Sequence, residues 1–276
     1  MSAPTRSHGR KSIAASAAPR DLLGAATGHE TAWRAQVVTL FPEVFPGVLG
    51  ASLTGRALSE GLWALETIDL RRFGVGRHRN VDDTPMGGGA GMVLRADVLD
   101  AALRHAEARA AAPRADWPVV ALSPRGQRFD QTGARALARA RGVTLVCGRF
   151  EGIDQRVLDA HDIAEVSIGD FVMTGGEIAA QALIDATVRL IPRVLGNQAS
   201  LEEESFSSGL LEHPQYTKPA DWNGRTVPDI LLSGNHGAIA SWRRDEAERL
   251  TKNRRPDLWR AWRAGHGKDP DGDREL

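Results

Sequence analysis

A chain of 276 residues with 42% hydrophobic and 25% charged residues is long enough for one or two packed domains, and these proportions exclude a mostly disordered polymer. The 35 Lys and Arg balance the 35 Asp and Glu, so any nucleic-acid site must be a local patch rather than a field of the whole chain. No apolar run reaches the roughly 18–20 residues that span a bilayer, and the single cysteine, Cys147, excludes an intrachain disulfide and fits a reducing, cytoplasmic setting.

Residues 1–32 read as a disordered tail. Met1–Arg20 is rich in Ala, Ser, Arg and Pro, has no acid before Asp21, and buries too little apolar surface to offset its ordering entropy. Such a start also resembles an organelle transit peptide, although no amphipathic face or cleavage site marks one. From Trp33 the pattern is α/β. Strands are predicted over 35–40, 63–70, 143–147 and 163–168, and 117–122 is a short apolar run. Helices are predicted over 97–111, 131–141, 153–161 and 176–191, with helical pieces between Pro42 and Gly61 broken at Pro46 and Gly55. This alternation predicts a mainly parallel sheet covered on both faces. The polar segment 196–209 interrupts the rhythm and reads as a mobile linker, followed by Arg- and Trp-rich helices over 236–250 and 257–263.

Several segments carry chemistry. Arg77–Met92 holds glycines 87, 88, 89 and 91, which let backbone approach a ligand or another chain closely. It lacks the GK[ST] of a P-loop. Glycines alone describe a flexible surface loop; the neighbouring Arg71, Arg72, Arg77, His78 and Arg79 add phosphate contact as a reading. Three strand ends, Leu122–Gly126, Cys147–Asp154 and Ser167–Glu177, put Gly or small polar residues just past apolar runs, where open α/β sheets bind ligands. Backbone groups there can read an adenine edge, and Ile168, Phe171 and Met173 can sandwich its ring. Each is otherwise an ordinary βα turn. Arg189 ends an apolar helix, either capping its dipole or stabilising negative charge on a substrate. Glu202–Glu204 is solvated filler or supplies a general base on a closing loop. The eight histidines show no ligand spacing, so no metal site is expected.

These segments together resemble one family. They are LFPEVF (40–45), RHRNVDDTPMGGGAGM (77–92), LSPRGQRFDQ (122–131), LVCGRFEGIDQRV (145–157), SIGDFVMTGGE (167–177), IPRVLGNQAS (191–200), SFSSGLLEHPQYTKP (205–219) and VPDILLSGNH (227–236). In this order they resemble the tRNA (guanine-N1)-methyltransferases of the TrmD type, within the SPOUT superfamily of trefoil-knotted methyltransferases. The resemblance implies an α/β fold with a deep trefoil knot and a small all-helical C-terminal domain. Its domain plan is a tail (1–32), a knotted S-adenosylmethionine-binding domain (33–195), a linker (196–209) and a tRNA-binding domain (210–276). It implies a homodimer with shared active sites that methylates N1 of guanosine 37 of tRNA, 3′ to the anticodon and preceded by guanosine. An Mg2+ requirement would be met through tRNA or at a transient site.

Residue by residue, the resemblance assigns catalysis to Glu204 as base and Arg189 as stabiliser of charge at O6. It assigns cofactor binding to Leu122, Ser123, Pro124, Gly148, Phe150, Glu151, Ser167, Ile168, Gly169, Asp170, Phe171, Val172, Met173, Gly175 and Gly176. It assigns tRNA contacts to His78, Arg79, Asp82, Gly88 and Gly89, and to Arg243 and Arg244. The main departure is Glu204, one methylene longer than the family's aspartate. Ala121, Phe150 and Met86 each stand where the family has tyrosine, and Ala179 where it has proline. The alternatives are a SPOUT ribose 2′-O-methyltransferase, which needs no Glu204–Arg189 pair, and a catalytically inactive tRNA-binding paralogue. A dinucleotide-binding dehydrogenase is disfavoured because no GxGxxG opens a helix.

Overall fold

The computed structural model describes residues 32–196 and 204–267, so the expected tail and much of the expected linker lie outside the described residues. Five strands form one parallel sheet: β1 (Trp33–Thr39), β2 (Trp63–Asp69), β5 (Val119–Arg128), β6 (Gly142–Cys147) and β7 (Ala164–Ser167), in the order β2-β1-β6-β5-β7. Its layers follow from the two-residue period of extended chain. Val37, Leu145 and Val120 face one core, completed by Leu183, Ile184 and Val188 of α5 (Glu177–Val188). Val38, Val146 and Val119 face the other, against Leu99, Ala102 and Leu103 of α2 (Ala96–Glu107) and Val157 and Leu158 of α4 (Gln155–Ala160). Covered on both faces, β1 and β6 read as largely apolar runs, with Gln36 and Thr144 buried among them.

Two more helices pack beside this sheet, α1 (Ser52–Ser59) and α3 (Gln131–Arg139). Gly55 does not break the chain as expected but lies inside α1. A Cβ there would stand 2.2 Å from the Gly50 carbonyl oxygen, so glycine serves the close approach of the preceding turn. The run 117–122 also extends further than expected. β5 pairs with β7 through Leu122, leaves the ladder, and rejoins it at Gln127. Gly126 permits this excursion, because a Cβ would lie 2.2 Å from the Val166 nitrogen. A short pair, β3 (Asp82–Asp83) and β4 (Val93–Leu94), brackets the glycine loop.

The C-terminal part holds α6 (Asp229–Leu232), α7 (His236–Arg254) and α8 (Pro256–Gly265). The side chain of Asn235 caps α7 by accepting from the Ala238 N–H at 3.1 Å, and Pro256 opens α8. To these helices the structure adds a hairpin, β8 (Asp221–Trp222) and β9 (Arg225–Thr226), so this part is not built of helices alone. Asn223 and Gly224 turn it with φ of 54° and 76°, the Asn-Gly signature of a two-residue hairpin.

Candidate active site

Sheet order makes β6, β5 and β7 neighbours, so the Ser123–Gly126 excursion of β5 and the loops that follow β6 and β7 converge on one cavity of about 300 Å³. Of the residues that the resemblance assigns to the cofactor, Leu122, Ser123, Pro124, Gly148, Phe150, Glu151, Ser167, Ile168, Gly169, Phe171, Val172, Met173, Gly175 and Gly176 line it. Asp170 is the exception: it is exposed and does not line the cavity. Gly176 brings the third loop against the end of β6, where a Cβ would stand 2.8 Å from the Cys147 Cα. Burial pushes the Cys147 thiol up, away from the reactive thiolate.

In the cavity wall stands an ion pair that sequence reasoning did not assign. Arg149 reaches Glu177 with Nη2 to Oε2 at 2.8 Å and donates to the Thr174 carbonyl at 3.1 Å. Its guanidinium lies 4.3 Å from the Phe41 ring centroid. The Thr39 hydroxyl donates to Glu177 Oε1 at 2.8 Å. Glu177 is 4% exposed and sits in the first turn of α5, where the helix dipole favours a carboxylate. The end of β1 and two of the three loops are thereby tied together. The available signal was an acid opening an apolar helix directly after the loop glycines 175 and 176.

The glycine loop is fastened to the cavity wall. Glu151 N–H donates to the Met92 carbonyl at 2.9 Å and Leu94 N–H to the Gly152 carbonyl at 3.0 Å. Gly91 has φ of 87°, and a Cβ there would meet Glu151 Cγ at 2.4 Å. A Cβ at Gly88 would meet nothing within 4 Å and one at Gly89 only the Pro85 ring at 3.8 Å, with φ of 80° and 128°. His78 and Arg79 are exposed in the preceding turn, and Asp82 pairs with Leu94 across β3 and β4. Arg243 and Arg244 stand apart on α7, Arg243 half-buried and Arg244 exposed.

Arg189 and Glu204 meet directly. Arg189 Nη1 donates to Glu204 Oε2 and Nη2 to Oε1, both at 2.6 Å. Arg189 is also the C-cap of α5, where a cation suits the helix dipole. Its hydrogen bonds hold the Glu204 carboxyl below its usual range, and the carboxylate raises the guanidinium in turn. Glu204 opens a turn in which Ser207 N–H donates to its carbonyl at 3.1 Å and Phe206 N–H to the Leu210 carbonyl at 2.8 Å. Arg135 of α3 donates to the Ser207 hydroxyl at 3.1 Å, and Leu211 N–H to the Thr251 hydroxyl of α7 at 2.8 Å. The described part of the expected linker is therefore an anchored turn. Glu203 lies outside the described residues.

The pair and the cavity stand at opposite ends of α5, since Gly176 and Ala179 line the cavity and Arg189 ends the helix. At 1.5 Å per residue that helix is about 18 Å long. Among the described residues, no group of three or more His, Cys, Asp and Glu could hold a metal, and no helix is long and apolar enough to cross a membrane.

The family model for tRNA (guanine-1)-methyltransferase TrmD matches residues 33–261. A tRNA (guanine-N(1)-)-methyltransferase of Cereibacter sphaeroides (strain KD131 / KCTC 12085) is 71% identical over 245 residues, which are 89% of this chain and 98% of that protein. One from Ruegeria sp. (strain TM1040) is 67% identical over 86% of this chain and 96% of its own length. One from Gluconobacter oxydans (strain 621H) is 59% identical over 84% of this chain and 97% of its own. On a match spanning the sheet, the cavity, the Arg189–Glu204 pair and the C-terminal helices, the chain belongs to the tRNA (guanine-1)-methyltransferase TrmD family.

Proposed function

We propose that the protein transfers a methyl group from S-adenosylmethionine to N1 of guanosine 37 in tRNAs that carry guanosine at the preceding position. The observation that carries this reading is the Arg189–Glu204 pair at 2.6 Å. Guanine presents an N1–H donor beside an O6 acceptor, and a carboxylate beside a guanidinium is complementary to that edge. Glu204 accepts the N1 proton and Arg189 donates to O6, where negative charge gathers as the proton leaves. The Arg189 hydrogen bonds keep the carboxylate ionised and weaken it as a base, so the pair parts when Glu204 meets N1–H. Ribose 2′-hydroxyl methylation has no use for this arrangement.

The three-loop cavity fits the cofactor by its chemistry: backbone groups at strand ends for a base edge, Ile168, Phe171 and Met173 for a ring, and glycines where side chains would crowd. S-adenosylmethionine bound there supplies an electrophilic methyl group. Within the same proposal the chain threads its trefoil knot at these loops.

The proposal includes a homodimer. Methyl transfer needs reacting atoms about 3–3.5 Å apart, whereas one chain holds cavity and catalytic pair at opposite ends of α5, a helix about 18 Å long. A second copy that brings its own pair to this cavity resolves the mismatch. Ile178 of α5 and Val172 of the cavity loop, 67% and 85% exposed, offer an apolar face for it. Residues 33–195 would then hold the cofactor and residues 210–276 grip tRNA in the cytoplasm. The glycine loop with His78, Arg79, Asp82, Gly88 and Gly89, together with Arg243 and Arg244, would face the RNA. Any Mg2+ would act through the tRNA.

The test is methyl transfer to unmodified tRNA carrying guanosine at positions 36 and 37, read as 1-methylguanosine by nucleoside mass spectrometry. The wild type is expected to give product, and Glu204→Gln to be slower by roughly 10²-fold or more. Product from both at equal rates removes Glu204 as base; no product from the wild type removes the function.

A further inference from the structure

A second cavity, of about 520 Å³, lies in the C-terminal part, between the extended segment 213–220, α6 and α7. Its size falls in the range of roughly 300–1,000 Å³ typical of small-ligand sites. Leu231 of α6 and Ile239 of α7 line its apolar side, and Trp242 stands one turn beyond Ile239 on the same helix face. Tyr216 faces Trp242 with ring centroids 6.2 Å apart and planes tilted by 57°. The two rings do not stack on each other, and Tyr216 remains 47% exposed. Lys218 and Arg243 add positive charge, and no carboxylate side chain lines the cavity.

Aromatic faces, an apolar wall and cations without carboxylates suit a planar, electron-rich ring attached to a phosphate. We propose that this cavity receives one unstacked nucleobase of the bound RNA, with Tyr216 as its stacking platform and Lys218 against the adjoining phosphate. The inference rests on the tRNA reading and adds a base-binding subsite remote in sequence from the Arg189–Glu204 pair.

The experiment measures tRNA affinity of the full chain by fluorescence anisotropy. Tyr216→Ala is expected to weaken binding about tenfold, within the range for losing one base–aromatic stack. Tyr216→Phe keeps the affinity, and both variants keep wild-type affinity for S-adenosylmethionine. Lys218→Ala lowers the slope of log Kd against log salt by about one, and Tyr216→Ala leaves that slope unchanged. In a series of tRNAs each bearing one abasic nucleotide, a single position loses affinity with the wild type and shows no further loss with Tyr216→Ala. Additive losses at every position overturn the inference. So does a fall in oligomeric state of RNA-free Tyr216→Ala, which would assign the cavity to a second copy of the chain. If the wild type methylates tRNA and Tyr216→Ala binds it equally well, only this inference fails; if the wild type neither binds nor methylates tRNA, the functional reading falls with it.

Discussion

Arg189 and Glu204, 15 residues apart, face each other fork to fork with both hydrogen bonds at 2.6 Å. The geometry is that of a bidentate guanidinium–carboxylate pair, stronger and more directional than a point-charge contact. Glu204 reaches it with a side chain one methylene longer than an aspartate's.

Glu204→Gln removes the charge and keeps the shape. It is expected to cost about 1 kcal/mol of stability at pH 7, the upper end for a partly exposed pair. The folded Glu204 is held below its ordinary value of 4.5 by the hydrogen bonds from Arg189. Its stabilisation is therefore complete above 4.5 and is lost as pH falls through the lowered folded value. Urea denaturation of both proteins at pH 7 and at pH 3 measures this. A stability gap equally wide at both would assign the effect to shape instead of charge.

Arg189→Lys keeps a cation but loses the fork. A lysine ammonium cannot hold Glu204 through two parallel bonds or meet O6 with the same orientation. The kcat for 1-methylguanosine formation is expected to fall about 10²–10³-fold, the usual loss for one preorganised donor. Single-turnover kinetics at saturating tRNA, together with Kd for tRNA, separate this from weakened binding.

The placement of cavity and pair at opposite ends of α5 can be tested by mixing two inactive variants. Gly148→Leu puts a side chain into the cavity, and its Cβ would meet nothing closer than the Leu122 carbonyl oxygen at 3.5 Å. Glu204→Gln leaves the cavity intact. After co-refolding, statistical pairing of a two-fold dimer gives about a quarter of the sites an intact cavity from one chain and an intact base from the other. Activity near that level is expected. A mixture as silent as its components would place the whole site in one chain.

Arg149→Ala strips the cation from a carboxylate that is 4% exposed. Breaking a buried pair from one side costs about 3–5 kcal/mol, and the lower end fits here because the Arg149 side chain is 23% exposed. Adding Glu177→Gln to Arg149→Ala should recover part of the loss, because a neutral amide is cheaper to bury than an unpaired charge. Equilibrium unfolding of the two single variants and the double variant measures the coupling.

The strands were legible because burial on both faces favours largely apolar runs, as in Ala35–Thr39 and Val143–Cys147, where the buried Gln36 and Thr144 hydrogen-bond to each other. The cofactor loops were legible as glycines and small polar residues following those runs. The hairpin at 221–226 was overlooked even though its Asn-Gly turn stood in the sequence, since its strands are two residues each and show no alternation. The β5 excursion could not be read at all: Gly126 is needed for contact with Val166, 40 residues away.

By itself the sequence determined the elements, the loops that can approach a ligand and, through many ordered motifs, the family. These are properties of short stretches, because periodicity, turn chemistry and glycine freedom act over a few residues. Only the tertiary structure decided that β6, β5 and β7 are neighbours, that Arg149 and Glu177 share a buried pair, and that Arg189 finds Glu204. Each of these depends on which distant segments pack together, and that choice is made by burial summed over the whole chain rather than by any residue's own preference.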